Sequence, residues 1–196
     1  MSVSYILRHG RTDRSARYIT SGDPAVSVPL DGTGVAQCRR RAHAGWISDV
    51  VTCVVSEFGR TSETAKLLLG ARRPRTIVDS RLNEINYGGF EGRPWMAYGT
   101  WLRSAGPNVV PPGGGEARTA AIDRMLAGLA DCMRHPGPRM VVGHGLMISA
   151  LLQLMADRPL RSLDLPEAPY VTPLPLTDAR LAELLGSAVR TQPRAS

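Results

Sequence analysis

A histidine set between a cation and a glycine, Arg8-His9-Gly10, directly follows the apolar run Val3-Ser4-Tyr5-Ile6-Leu7, at the point where a strand of that composition ends. An imidazole there suits the work of a base, an acid, a nucleophile or a metal ligand. Its ordinary pKa lies near neutrality, and open α/β sheets hold ligands in the crevice beyond the carboxyl ends of their strands. Three residues do not choose among those roles. Two further groups stand at comparable points: Arg60 opens a helical pattern after a β-branched run, and His144 lies between Gly143 and Gly145 after Met140-Val141-Val142.

The elements that must position these groups alternate. Val3 to Leu7 reads as a first strand, Gly34 to about Ile47 as a helix, Val50 to Val55 as a strand ending at Ser56, and about Arg60 to Leu69 as a second helix. Thr76-Ile77-Val78 predicts a short third strand and Met140-Val141-Val142 a fourth, while Leu146 to Met155 is apolar enough for a buried helix. Between about Glu116 and Met133, the residues Ile122, Met125, Leu126 and Leu129 recur at spacings of three and four, the stripe of a helix packed on a sheet. Repeats of strand, loop and helix predict an α/β fold. Residues 1–186 are expected to form one domain, with the Gly-, Pro- and aromatic-rich stretch 86–115 as a lid or insertion, and the polar stretch 187–196 as a mobile tail.

Composition narrows the function classes. A chain of 196 residues is long enough for one well-cored domain. No apolar stretch approaches the roughly 18 residues of a membrane span, and Met1-Ser2-Val3-Ser4-Tyr5 lacks the features of a signal peptide, so a cytoplasmic protein without a membrane partner is expected. Cys38, Cys53 and Cys132 are widely spaced, with no Cys-x-x-Cys pair, and read as reduced thiols. The formal net charge is +7, and every basic residue except Lys66 is arginine. Arg39-Arg40-Arg41 and Arg72-Arg73 are the only adjacent groups and neither is interleaved with aromatics, which speaks against a nucleic-acid partner and fits small anionic substrates. His43 and His135 lack charged partners at useful spacing and read as surface residues.

Arg8-His9-Gly10-Arg11-Thr12 resembles the signature of the histidine phosphatase superfamily, whose best-known branch is the cofactor-dependent phosphoglycerate mutases. Further blocks resemble that family's pattern in order. They are Pro29-Leu30-Asp31-x-x-Gly34-x-x-Gln37, Ser56-x-x-x-Arg60-x-x-x-Thr64-Ala65, and Leu82-Asn83-Glu84 with Gly88-x-x-Glu91-Gly92, then Pro112-Gly113-Gly114-Gly115-Glu116 and Val141-Val142-Gly143-His144-Gly145. The resemblance spans residues 3 to about 155. It implies a three-layer α/β/α sandwich around a central, mostly parallel sheet, and phosphoryl chemistry; no step of that chemistry requires a metal, and no cofactor is expected. No metal-ligand spacing such as His-Glu-x-x-His occurs.

By the same resemblance His9 is the nucleophile that becomes phosphohistidine, and Arg8 and Arg60 grip the phosphate. His144 donates to an equatorial oxygen, Gly145 lets the backbone come close, and Glu84 supplies the proton to the leaving alkoxide. These residue types suit the task. Two unit charges 4 Å apart attract by about 4 kcal/mol at an effective dielectric of 20, and a guanidinium offers forked donors that match phosphate oxygens. Neighbouring cations keep His9 neutral, with a lone pair for phosphorus. Arg60 at a helix start opposes the helix dipole, which a bound anion would explain. Glu91 is the alternative acid, but its place in the Gly-x-x-Glu-Gly block reads as structural.

Departures from the pattern point to a divergent member. Ser15 stands where the family commonly has asparagine, and reaches less far toward a phosphate oxygen. The spacing from Tyr18 to Val28 differs, Ala117 replaces a frequent serine, and Glu57-Phe58-Gly59 departs before Arg60. Tyr87, Phe90, Trp95, Tyr98 and Trp101 cluster in the lid, where packing is the preferred reading over a substrate wall. The function expected is a metal-independent hydrolase of a small soluble phosphate ester, acting through phospho-His9, with a homodimer possible. Mutase-type transfer is the alternative, disfavoured because the insertions that retain a bisphosphate are hard to fit. A non-catalytic phospholigand-binding module is disfavoured by the retention of His9, His144, Arg8, Arg60 and Glu84.

Overall fold

Side chains alternate along each central strand and bury both faces, and this sets the layers. Ile6, Val54 and Val141 point into one core cluster, and Leu7, Cys53, Val55, Met140 and Val142 into another. The computed structural model describes residues 2–190. In chain order the elements are β1 (Val3–Arg8), α1 (Asp13–Ala16), α2 (Gly32–Arg41), β2 (Thr52–Val55), α3 (Gly59–Leu69) and β3 (Arg75–Val78). They continue with α4 (Trp95–Ala105), α5 (Arg118–Cys132), β4 (Arg139–Gly143), α6 (Gly145–Met155), β5 (Leu174–Thr177) and α7 (Asp178–Arg190). The sheet runs β3-β2-β4-β1-β5, with β5 alone antiparallel. Residues of α2 and α3 complete the cluster on one face, and those of α5, α6 and α7 the cluster on the other. The expected α/β/α sandwich is therefore present.

Register brings distant residues together. Arg8 lies opposite Gly143, and Val55 opposite Val142, so the residues after β1, β2 and β4 emerge side by side at the carboxyl end of the sheet. Those residues are His9, Ser56 and His144.

Four stretches differ from the sequence reading. The helix expected to reach Ile47 ends at Arg41, and a 3-10 turn over Gly45–Asp49 still buries Ile47 and stacks Trp46 on Tyr5. The stretch 86–115 contains α4, whose Tyr98 and Leu102 join Ile85, Tyr87 and Ala121 in a third cluster. The aromatics there pack on one another, with Tyr87 and Tyr98 rings 4.9 Å apart. β5 escaped notice because Pro175 breaks its pattern, yet proline is tolerated on an edge strand. The helix α7 runs past the expected domain end at 186 to Arg190, because Leu181, Leu184, Leu185 and Ala188 make a buried stripe. The remainder of the expected tail, 191–196, lies outside the described residues. No helix among the described residues is long and apolar enough to cross a membrane.

The end of the sheet away from the site is held by Arg139, which is 3% exposed. It pairs with Asp178 at 2.6 Å and donates to the carbonyls of His135 and Met133, so that β4, the end of α5 and the start of α7 are joined. Removing the carboxylate leaves a buried cation uncompensated. Asp178→Ala is expected to cost about 3 kcal/mol in urea unfolding, and a loss below about 0.5 kcal/mol would show that the pair does not carry the contact.

Candidate active site

His9, Ser56 and His144 stand at the carboxyl ends of β1, β2 and β4, and hydrogen bonds fix each one. The His9 backbone N–H donates to the Gly143 carbonyl at 3.0 Å, which joins the two histidine-bearing turns. Gly10 N–H donates to Thr64 Oγ1 at 3.0 Å, and Thr64 in turn donates to the Arg60 carbonyl. The start of α3 is thus locked to the loop after β1. Asp31 caps α2 through Gly34 N and also accepts from Arg11 Nε, while Gln37 accepts from Arg11 N. Gly34 passes so close to this loop that a Cβ on it would lie 2.1 Å from the Arg11 carbonyl. The Pro-Leu-Asp block is therefore a brace for the histidine loop.

Arginine can only donate, and that settles both imidazole tautomers. Arg60 Nε donates to His9 Nε2 at 3.1 Å, so Nε2 carries the lone pair and Nδ1–H donates to the Gly10 carbonyl at 2.7 Å. Arg60 Nη2 donates to His144 Nδ1 at 3.2 Å, so His144 Nε2–H donates to Ser56 Oγ at 2.8 Å. The two rings meet edge to face at 5.3 Å. Burial, followed by the charges of Arg60 and Arg8, holds His9 well below the usual imidazole range, and the Gly10 carbonyl opposes this. Burial again leads for His144, followed by Arg60, His9, Arg8 and Arg124.

Neither guanidinium of the cradle forms an ion pair among the described residues. Arg60 donates to Ser21 Oγ and the Ser21 carbonyl and lies over the Phe58 ring; burial brings its pKa down to about 10, so it stays cationic at neutral pH. Arg8 donates to the Ala168 carbonyl at 2.8 Å and to Tyr170 Oη at 3.2 Å, and its guanidinium sits 3.9 Å over the Tyr170 ring. Its Nε is buried without a protein partner. Val171 N–H donates to the Arg8 carbonyl, with Val171 in the left-handed region at φ 48°, a conformation that a β-branched residue adopts only when its surroundings impose it.

Glu84 reaches the same space from the turn after β3. Burial raises its pKa, against the pull of Arg60, the Ile85 N–H, Arg8 and Arg124. Its segment is held by Arg124, which donates to the Arg81 and Asn83 carbonyls and is gripped through two nitrogens by Glu116. Glu91 is committed elsewhere: it pairs with Arg14 at 3.0 Å and accepts from Gly22 N. It ties the segment 14–22 to the stretch 86–115 and does not line the cavity.

These groups open into a cavity of about 420 Å³ lined by Arg8, His9, Arg60, Glu84 and Gly145, with walls from 15–21, 84–103 and 163–170. Ser15 is on the wall, but its hydroxyl turns back to cap α1, bonded to Thr12 N, O and Oγ1. Gly145 lies beside Arg8, where a Cβ would make ordinary contact at 3.6 Å, so space alone does not demand glycine there. His144 is fully buried behind Arg60, with both nitrogens engaged; the hydrogen bond expected from it to a phosphoryl oxygen is not available in this arrangement. Sequence reading missed Ser21, Arg124, Ala168 and Tyr170, which lack a local pattern and meet the site only through the fold.

Known proteins share this arrangement of sequence and fold. The chain is 29% identical over 165 residues to a probable phosphoglycerate mutase GpmB of Proteus mirabilis, covering 79% of this chain and 75% of that one. Among solved structures, YhfR of Bacillus stearothermophilus superposes with a TM-score of 0.71 at 26% identity, covering 88% and 87% of the two chains. A mycobacterial glucosyl-3-phosphoglycerate phosphatase superposes at 0.70 and 23% identity, covering 90% and 93%. The pattern that defines the histidine phosphatase superfamily (branch 1) matches residues 4–172, and this chain belongs to that superfamily.

Proposed function

We propose that the protein hydrolyses a small phosphate monoester through a phosphohistidine on His9. The observation that carries this reading is the convergence of Arg8 and Arg60, both without a carboxylate partner, on an imidazole held neutral with its lone pair at Nε2. A phosphoryl dianion supplies the missing negative charge and draws Arg60 onto its oxygens, which frees Nε2. The Nε2 lone pair then forms a bond to phosphorus as the ester P–O bond breaks, and the Glu84 carboxyl gives its proton to the departing oxygen. In the second half Glu84 takes a proton from water, the water oxygen bonds to phosphorus, and the P–N bond breaks to release inorganic phosphate. His144 acts as a positioning residue by holding Arg60.

Hydrolysis is preferred to transfer because the segment between Glu84 and α5 holds a single α-helix and loops, without the added segments that the resemblance associates with retaining a bisphosphate. The mutase name carried by the Proteus mirabilis relative favours the second reading. Transfer would appear as phosphate moved to a second hydroxyl with no net release.

Acid-quenched incubation with a radiolabelled phosphate ester is expected to leave label on histidine in the native protein and none in His9→Ala, whose kcat/KM falls by about four orders of magnitude. Undiminished label in the variant would remove His9 from the mechanism. Glu84→Gln is expected to slow alkyl phosphates by about 100-fold or more and p-nitrophenyl phosphate far less, since a good leaving group needs no proton. Equal losses on both would assign Glu84 another task. Because the acid must be protonated, kcat for alkyl esters declines as pH rises through the raised pKa of Glu84.

Stability should follow the histidines in the opposite sense. His9 and His144 stay neutral when folded but take up protons in the unfolded chain below about pH 6.5. The free protein therefore loses stability as pH falls below that value, with a limiting slope of about 1.4 kcal/mol per pH unit for each histidine. Denaturant midpoints measured across this range check the sign, and a midpoint that rises on acidification would contradict the neutral assignment.

A further inference from the structure

The cavity wall also carries Arg118, a buried cation that the proposed reaction does not use. Arg118 is 6% exposed and opens α5 on the cavity wall. Its Nη1 donates to the Leu163 carbonyl at 3.1 Å, and among the described residues the guanidinium has no ion pair and no other hydrogen-bond partner. The placement is electrostatically adverse. The cation sits at the positive end of a 15-residue helix, and Ala117 at the cap provides no side-chain hydrogen bond.

Tyr98, on the same wall, makes a second and independent observation. It is 3% exposed, and its hydroxyl is buried with no hydrogen-bond partner. A buried donor left unmatched is costly unless something in the cavity takes it up. The two groups are close enough for the Arg118 charge to act on the Tyr98 phenol. No carboxylate forms an ion pair with Arg118 among the described residues: the charge of Asp164 reaches it, but that side chain is exposed and pairs with Arg103 at 3.1 Å, Glu116 grips Arg124, Glu84 lies beside the cradle, and Glu167 is exposed.

We propose that Arg118 and Tyr98 form a second oxyanion subsite, so that the substrate is a phosphomonoester whose organic part ends in another oxyanion, a carboxylate or a second phosphoryl group. The assignment rests on the phosphatase reading for the ester end only. With Nη1 held by Leu163, the Nε and Nη2 edge remains, and its two parallel N–H groups match two oxygens of one oxyanion. The Tyr98 hydroxyl adds a third donor. A neutral alcohol or sugar would leave the buried cation unmatched, so the site selects against it.

Calorimetric titration with phosphonates, which cannot be hydrolysed, tests the subsite apart from catalysis. Three series of increasing chain length serve as probes: ω-carboxyalkylphosphonates, their carboxamides, and alkane bisphosphonates. At the best length one acidic series is expected to bind about tenfold more tightly than the carboxamides, and the margin is expected to vanish in Arg118→Leu and shrink in Tyr98→Phe. Whichever acidic series wins identifies the oxyanion. Equal binding of acids and carboxamides by the native protein at every length overturns the subsite, whatever the variants do. So does a margin that survives Arg118→Leu. If the margin holds but no ester of the preferred acid releases phosphate, the hydrolase reading fails while the subsite stands.

Discussion

Arg60, buried against two imidazoles, and the half-buried Arg8 beside them have no carboxylate to pair with among the described residues, and the rest of the site follows from that constraint. Desolvated cations without counter-charge must spend their donors on neutral acceptors. Arg8 does so on the Ala168 carbonyl and Tyr170, and Arg60 on Ser21 and both histidines. Each acceptor then fixes something else. The histidines lose any choice of tautomer, and the segments carrying Ser21 and Ala168 are drawn in as cavity walls. Pairing either arginine with a side-chain carboxylate would relieve the electrostatic stress and fill the space a dianion needs.

Glu84 is placed by a second, separate system. Glu116 and Arg124 hold the turn before it through backbone carbonyls, while Asn83 and Glu57 exchange hydrogen bonds across to the loop before α3. Glu84 and His9, the proposed acid and nucleophile, are thus held by different braces that meet at α3. The glycine-rich block at 112–116 belongs to the acid's brace: Gly88, at φ 55°, packs so tightly against Gly114 that a Cβ would fall 1.6 Å from its carbonyl oxygen.

The sequence was most readable where chemistry sits beside a strand end. His9, Arg60 and His144 follow apolar runs whose parallel pairing forces the next residues to one edge, so local pattern and site coincide. Asp31, Gln37 and Glu116 were visible as spaced motifs, although their work as braces required the fold. Tyr170, Ser21 and Arg124 were not visible, because each acts through a partner remote in sequence: Tyr170 on Arg8, Ser21 on Arg60, and Arg124 on the carbonyls of 81 and 83. At Ser15, which lines the cavity, local sequence acts the other way. Three residues from Thr12, it has a local capping partner that outcompetes the cavity for its hydroxyl.

The cradle and the walls come from different parts of the chain. His9 and His144 stand at strand ends and Arg60 in the first turn of α3, all seated on the sheet, whereas most of the wall comes from 15–21, 84–103 and 163–170, which are largely loops. Mutations in those stretches can redraw the outline of the cavity while the sheet keeps the reacting atoms in register. Such a scaffold is evolvable in one direction only. On the proposed reading, changes in the loops alter which ester fits, whereas changes in the core disturb the cradle that any ester would need.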